Sequence, residues 1–415
     1  MERYEGGSDQ FRGRDGLLRV TDTPRNKVPL LEKIIEAAGK IGLPFNPDQN
    51  GETQEGVGMS QVTIARGSRQ STAVCYLDPA RGRPNLVIEQ GAMAEALMLE
   101  GKRCVGVRYS VNGVRREARA AREAIVSGGS INSPKLLELS GIGQSELLRS
   151  FGITPVHELR GVGENLRDHY SPRIKFAITG KNLTFNDNAR GWRLARETLK
   201  YALFGTGFLA STAVPVRMYF RTREGLETPD ATISILPFLY EMVGRQRRVA
   251  KRQGITMNAN VLRSESTGSI HIKSADPAEP PAIRFNFLSA EHDRAGILAV
   301  IRKGRELMAT SPLKEITGEE IAPGAHRQTD EELLDWVRNN AETTYHPVGT
   351  CKMGSDPMAV VDRELRVHGI EGLRVADASI MPTLTSGNTN APAIMIGEKC
   401  AGMVLAAAAP RQAAA

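Results

Sequence analysis

Cysteine is scarce and scattered. Cys75, Cys104, Cys351 and Cys400 stand far apart in a chain of 415 residues, with no CxxC pair and no histidine at zinc-ligand spacing. That removes disulfide scaffolds and zinc modules, leaves free and mostly buried thiols, and gives no reason to expect a metal. No apolar run approaches the ~18 residues of a membrane span, and the opening MERYEGGSDQFRGRDG is polar where a secretory leader is greasy. A soluble, cytoplasmic protein is the default expectation. Also missing is a phosphate loop. A dinucleotide site on an α/β sheet needs GxGxxG between a strand and a helix, so that the backbone can approach a pyrophosphate. GVGENL (161–166) fails at its last position, and GTGFLA (205–210) follows a helix rather than a strand. The second stretch reads better as a turn.

What is present is ordinary for a globular protein long enough for two or three domains. The 41 glycines and 22 prolines are spread along the chain, so no low-complexity or collagen-like reading follows. The net charge of +7 invites a nucleic-acid reading. However, 47 acidic residues dilute the basic ones, and the densest basic cluster, GRQRRVAKRQG at 244–254, has no aromatic interleaving. It reads as a solvated loop or helix face, and no nucleic-acid partner is expected.

Helical periodicity marks 27–42, 191–203, 290–310, 329–340 and 391–407. A further helix over 133–143 is expected to open with Ser133 as N-cap and Pro134 at its first position, and to stop at Gly141. Strands are expected at 85–91, 104–120 with an Asn112-Gly113 hairpin turn, and 123–129, forming one cluster. Runs at 231–238 and 268–274 form a second cluster, and 372–379 stands apart. Strands alternating with helices in some places and running consecutively in others give a mixed α/β and α+β chain of two interleaved parts.

At GGSINSPKLLELSGIG (128–143), Gly129, Ser130, Ser133, Pro134, Leu136, Leu137, Ser140, Gly141, Ile142 and Gly143 resemble the second signature of the glucose-methanol-choline (GMC) flavin oxidoreductases. EGGSDQFRGRDGLLRV, RGRPNLVIEQGA, GVGENLRDH and the long run from YHPVGTCKMG to SGNTNAPAIMIGEKCA resemble the same family in the same order. HPVGTCKMG and SGNTNAP are worded most like its choline dehydrogenase and alcohol dehydrogenase branch. The resemblance is loosest over about 170–260, where the family's substrate domain varies. It implies an incomplete Rossmann-like FAD-binding domain interleaved with a substrate domain on a mixed antiparallel sheet with helices. On this reading 1–70 is a connecting segment and part of the substrate domain, and 71–160 is FAD-binding. Residues 161–335 bind substrate, 336–408 complete the FAD domain and the active site, and 409–415 form a disordered tail. The family's opening strand, GxGxxG and helix have no counterpart here. The difference is on the order of a hundred residues, about three βαβ units, as an internal start or a split gene would produce.

Oxidising an alcohol removes a proton from oxygen and a hydride from carbon, so a base must work beside an electron-accepting ring. Histidine suits the proton step because its ordinary pKa is near neutrality. Pro347 biases His346 toward an extended backbone, in a glycine-containing loop of the kind that carries reactive side chains. On the residues alone, His346 reads rather as a partner for a neighbouring carbonyl; the resemblance makes it the catalytic base. The resemblance also implies that Asn388 faces the substrate oxygen beside that base, donating without competing for the proton. By the same resemblance Asn390 meets the flavin carbonyl edge, Asp377 and Ala378 approach the diphosphate and ribityl chain, and Ala94 touches adenine through its backbone. The helix start at Asn390 and Ala391 stabilises negative charge on a reduced flavin. Each has a bland alternative, a turn-shaping asparagine or a packed alanine. His169 in RDHY reads as a structural hydrogen-bonding residue. His157, His271, His292, His326 and His368 lack companions in sequence, and Ser140 and Ser379 lack a GxSxG elbow.

The expectation is therefore an FAD enzyme that oxidises a primary alcohol to an aldehyde and passes electrons to a quinone-like acceptor or oxygen, with peripheral membrane contact and oligomeric state left open. Choline, which would call for a carboxylate or aromatic cage, and aliphatic or aromatic alcohols are equally admissible. Two other readings stand beside it. One is a flavin-free, non-catalytic chain whose uncovered strand edge and apolar face find partners or aggregate. The other is a flavin-bearing hydroxynitrile lyase.

Overall fold

The computed structural model describes residues 1–23, 28–244 and 246–408. They divide into two compact units, one made of Met1–Arg83, Tyr170–Leu262 and Glu291–Thr343, the other of Pro84–His169, Arg263–Ala290 and the chain from Thr344 onward. The sequence-based blocks had boundaries near 70, 160 and 335; the chain instead changes unit after residues 83, 169, 262, 290 and 343. The expected tail at 409–415 lies outside the described residues.

The first unit is built on a six-stranded sheet. Its spatial order is Thr317–Ala322, Arg173–Ile178, Gly254–Val261, Ala231–Leu236, Val216–Phe220 and Gly56–Met59, and every pairing is antiparallel. The helix Glu291–Met308 buries Ile297, Leu298, Val300, Ile301, Leu307 and Met308. Two glycines on that helix permit its close approach to the sheet. A Cβ on Gly296 would lie 2.6 Å from a Val261 methyl, and one on Gly304 would lie 3.2 Å from Ile174. The helix Pro29–Lys40 adds Leu30, Leu31, Ile34 and Ile35 to the core. Asp330–Asn340 opens with a reciprocal capping box between Thr329 and Glu332, which satisfies two otherwise orphaned N–H groups.

The second unit has a three-stranded antiparallel sheet, Ala92–Glu100, Arg103–Val111 and Val114–Arg119, with the middle strand central. A separate parallel pair joins Ala124–Val126 to Leu373–Val375. Between them in sequence comes the helix Gly129–Leu139. The core gathers Leu97, Val126, Leu137, Ile142, Val348, Val375 and Ile396 with the thiols Cys104, Cys351 and Cys400. All four cysteines are free and buried.

Several expectations are corrected. Residues 85–91 form no strand, and Leu86, Val87 and Ile88 are exposed. The strand begins at Ala92 instead, in AMAEALMLE, whose composition favours a helix. Pairing with Arg103–Val111 and burial of Leu97 override that propensity. The 231–238 and 268–274 runs do not share a sheet; Ser269–His271 pairs with Ala282–Arg284 in the second unit. Within the basic cluster, Gln246–Val249 is an exposed strand paired with Tyr240–Val243, and 250–253 form a loop as expected. The helix Asn390–Ala408 has 19 residues, and an 18-residue window of it has a mean hydropathy of 1.4, enough by length and composition to cross a membrane. Glu398 and Lys399 interrupt its apolar run and hid this in the sequence. The Asn112-Gly113 turn is as expected, with φ of +51° and +79°.

The helix expected to start at Ser133 starts at Gly129, with Pro134 inside it. A proline there removes the N–H that would bond the Ser130 carbonyl. The Thr350 hydroxyl donates to that carbonyl instead, at 2.7 Å. Thr350→Val should lower the unfolding free energy by about 1–3 kcal/mol by leaving a buried acceptor unpaired, measurable by chemical denaturation.

Glu138 on the same helix is fully buried, and its carboxylate meets His271 Nδ1 at 2.7 Å and the Ile272 N–H at 2.8 Å. Glu164 reaches His271 Nε2 at 3.1 Å. Burial alone would lower the His271 pKa, but the two carboxylates outweigh it and raise it above 6.5. The stability it contributes is complete below 6.5 and lost as pH rises through the higher folded value. Stability measured across that window should fall in the native chain and fall less in His271→Gln.

Candidate active site

The site lies in the second unit and is built on an extended segment, Thr344 to Thr350, running beside Leu166 to His169. Arg167 and Val348 exchange backbone hydrogen bonds of 3.1 and 2.9 Å, and the Thr344 N–H donates to the His169 carbonyl at 3.0 Å. Between these contacts the ladder breaks. Tyr345 takes φ of +63°, a left-handed conformation that costs a bulky residue energy and persists only where neighbours enforce it. The break turns the His346 N–H onto the Asp168 carboxylate at 3.0 Å.

Beyond the histidine, the Pro347 carbonyl accepts from the Ser130 hydroxyl at 2.7 Å. Gly349 has φ of +94°, and a Cβ there would sit 2.3 Å from the Asn165 carbonyl oxygen. Cys351 and Met353 then donate to the Ser379 and Ile380 carbonyls at 2.9 and 2.8 Å. His346 is thus held on both sides by backbone.

The structure brings His346 and Asn388 together. The Asn388 amide nitrogen lies 3.1 Å from His346 Nε2, with His346 half-buried and Asn388 exposed. On the other side of the ring, His346 Nδ1 lies 2.9 Å from the Thr344 hydroxyl and 3.0 Å from Nδ1 of His169. The two imidazoles meet edge to face at an interplanar angle of 86°. A ring nitrogen beside an amide donor suits proton abstraction from a hydroxyl whose oxygen the amide then binds.

Sequence reasoning missed Thr344 and Asp168 and placed His169 outside the chemistry. The available signal was pairing: RDH and TYH lie on adjacent backbone segments, which register alone would reveal. Asp168 and His169 are almost fully buried.

The residues expected near a cofactor fall into two groups. Ala94 lines a cavity of 720 Å³ with Ala92 and Met93, the strand end Ser127-Gly128, and Asn132 and Leu136 of the helix. Its walls are mainly apolar, with Arg119 and Lys135 among the lining residues, which fits a flat heteroaromatic ring such as adenine. Asp377 is different. Its carboxylate accepts from the Gly129 N–H at 2.9 Å, the Ser133 hydroxyl at 2.5 Å and the Ser379 N–H at 2.7 Å. Its side chain therefore holds the helix start and caps the short turn Ala378–Ile380, with the carboxylate taken up by these three donors. Asn390 and Ala391 open the helix Asn390–Ala408 and are exposed, leaving its first N–H groups available. These residues fit FAD at the cavity beside Ala94 and at the exposed helix start.

Sequence profiles described as GMC oxidoreductase match residues 1–171 and 264–397. The chain is 42% identical over 407 residues to an oxygen-dependent choline dehydrogenase of Brucella melitensis, covering 98% of this chain and 73% of that protein. It is 42% identical over 406 residues to the oxygen-dependent choline dehydrogenase of an Escherichia coli strain, covering 97% and 72%. Among solved structures, pyridoxine 4-oxidase from Mesorbium loti superposes with a TM-score of 0.85 at 25% identity, covering 98% of this chain and 75% of that one. Formate oxidase superposes with a TM-score of 0.88 at 24% identity, covering 98% and 76%, a likeness of fold.

Gly349→Ala should displace the histidine segment, since its Cβ would strike the Asn165 carbonyl in a conformation that alanine avoids. A loss of roughly 1–3 kcal/mol is expected in denaturant titration.

Proposed function

The chain belongs to the GMC oxidoreductase family, and we propose that it oxidises a primary alcohol to the aldehyde, with His346 taking the hydroxyl proton. The family's cofactor, FAD, supplies when bound the electron-accepting ring that receives the hydride. The observation that carries the reading is the 3.1 Å approach of the Asn388 amide to His346 Nε2. It puts one proton acceptor and one hydrogen-bond donor at the same point, which is what an alcohol passing to an alkoxide requires.

The roles divide by position. His346 accepts the proton at Nε2. Asn388 donates to the alcohol oxygen and stabilises the negative charge that develops there. The backbone at Ala94 is expected to border adenine, the backbone at Asp377 and Ala378 the diphosphate, and the helix start at Asn390 and Ala391 the ring edge that becomes negative. We assign all of these to the second unit, which contains both the cavity and the histidine.

For the substrate, two relatives are named for choline, which makes a quaternary ammonium alcohol the first compound to test, with aliphatic and aromatic primary alcohols beside it. The word oxygen in those names favours dioxygen as electron acceptor over a quinone.

The test is anaerobic bleaching of bound flavin by the alcohol. His346→Ala should slow it by about 10²–10⁴-fold with flavin content unchanged. Asn388→Ala should slow it by about 10²–10³-fold. Bleaching at the native rate in His346→Ala would remove the histidine from the base role.

A further inference from the structure

The base has a second nitrogen, and its surroundings decide whether the first one can work. An imidazole that abstracts a proton at Nε2 must carry its own proton on Nδ1. Near His346 Nδ1 lie the Thr344 hydroxyl at 2.9 Å and His169 Nδ1 at 3.0 Å. The Thr344 hydroxyl donates to the His169 carbonyl at 3.1 Å. With its hydrogen turned there, its oxygen presents a lone pair toward His346. Two protons cannot occupy one Nδ1-to-Nδ1 contact of 3.0 Å. If His346 holds the proton, His169 must be neutral and present a bare Nδ1.

The opposite arrangement satisfies the Nδ1-to-Nδ1 contact equally, with His169 as the donor, and the contacts to Asn388 and Thr344 break the tie. A proton on His346 Nε2 would point at the Asn388 amide nitrogen 3.1 Å away, donor against donor. With the Thr344 hydroxyl hydrogen on the His169 carbonyl, it would also set the Thr344 oxygen lone pair against a bare His346 Nδ1 at 2.9 Å.

From this geometry we propose that His169, together with Thr344, is the positioning residue that fixes His346 in its Nδ1-protonated tautomer and keeps Nε2 bare for the substrate. The inference rests on His346 being the base. When the alcohol O–H bond breaks and its proton joins Nε2, His346 becomes an imidazolium with two N–H groups. The Nδ1–H then still points between two acceptors, which hold the new charge in a buried setting, His169 being 1% exposed. The Asp168 carboxylate, which already takes the His346 backbone N–H, lies in the same segment and adds a negative charge nearby.

Imidazole ¹⁵N spectra of the native chain, labelled at histidine and assigned with His346→Ala and His169→Asn, read the tautomer directly and need no turnover. His346 should show a pyrrole-type signal at Nδ1 and a pyridine-type signal at Nε2; the reverse pattern would overturn the proposal.

Two substitutions provide the kinetic arm. His169→Leu removes the acceptor at similar size, whereas the oxygen of Asn in His169→Asn occupies the place of Nδ1. The leucine variant should lose at least about tenfold in kcat with KM little changed, and the asparagine variant should recover most of it. Equal losses in the two, or a loss confined to KM, would contradict the assignment even if the leucine variant folds poorly, because the spectra stand on the native chain. Failure of His346→Ala to impair bleaching defeats the activity reading itself. A reversed tautomer with that impairment intact defeats only the role given to His169.

Discussion

The site depends on one substituted hydrogen bond. Where Tyr345 enters the left-handed region the strand ladder cannot continue, and the Asp168 carboxylate takes the His346 N–H that the neighbouring strand no longer reaches. Without that acceptor, a half-buried backbone donor would be left unpaired at a cost comparable to the bond itself. With it, the residue following the break is rotated out of the alternation of the strand and held there. The strain at Tyr345 and the buried charge of Asp168 are two halves of one device that aims an imidazole.

The rest of the second unit fixes that device to the cofactor side. Asp377 gathers the Gly129 N–H, the Ser133 hydroxyl and the Ser379 N–H on one carboxylate. Ser130 and Thr350 then tie the start of the same helix to the histidine segment at two points after His346, through the Pro347 carbonyl and the Ser130 carbonyl. A helix that helps line the cavity beside Ala94 and a loop that carries His346 therefore share one hydrogen-bonded frame. Displacement of either is transmitted to the other within a few bonds, which is what positioning for hydride and proton removal at adjacent atoms demands.

The sequence made much of this legible, and for identifiable reasons. The helices at 291–308 and 330–340 carry strong periodicity, and the second a capping box, so their expected limits lie within about two residues of the structure. His346 and Asn388 stood out through a proline, glycines and motif wording, all of which survive in linear text. Three things did not survive. AMAEALMLE has helical composition, and only its pairing with the next strand makes it β. Pro134 looked like a helix start because the Thr350 hydroxyl, more than two hundred residues away, is what lets it sit inside one. His169 and His346 are separated by 177 positions, and no local pattern announces that their nitrogens meet. The first two are tertiary overrides of local preference; the third is a contact set by strand register.

The central claim is that His346 and the bound ring divide one substrate carbinol between them, proton to the one and hydride to the other. The most direct measurement compares anaerobic bleaching of the FAD-loaded chain by a primary alcohol with bleaching by the same alcohol carrying deuterium on its hydroxyl-bearing carbon. The account predicts a flavin that bleaches, and does so several-fold more slowly with the deuterated alcohol. A chain whose bound flavin stays oxidised under every primary alcohol, or bleaches at the same rate with both isotopes and with His346→Ala, would contradict it.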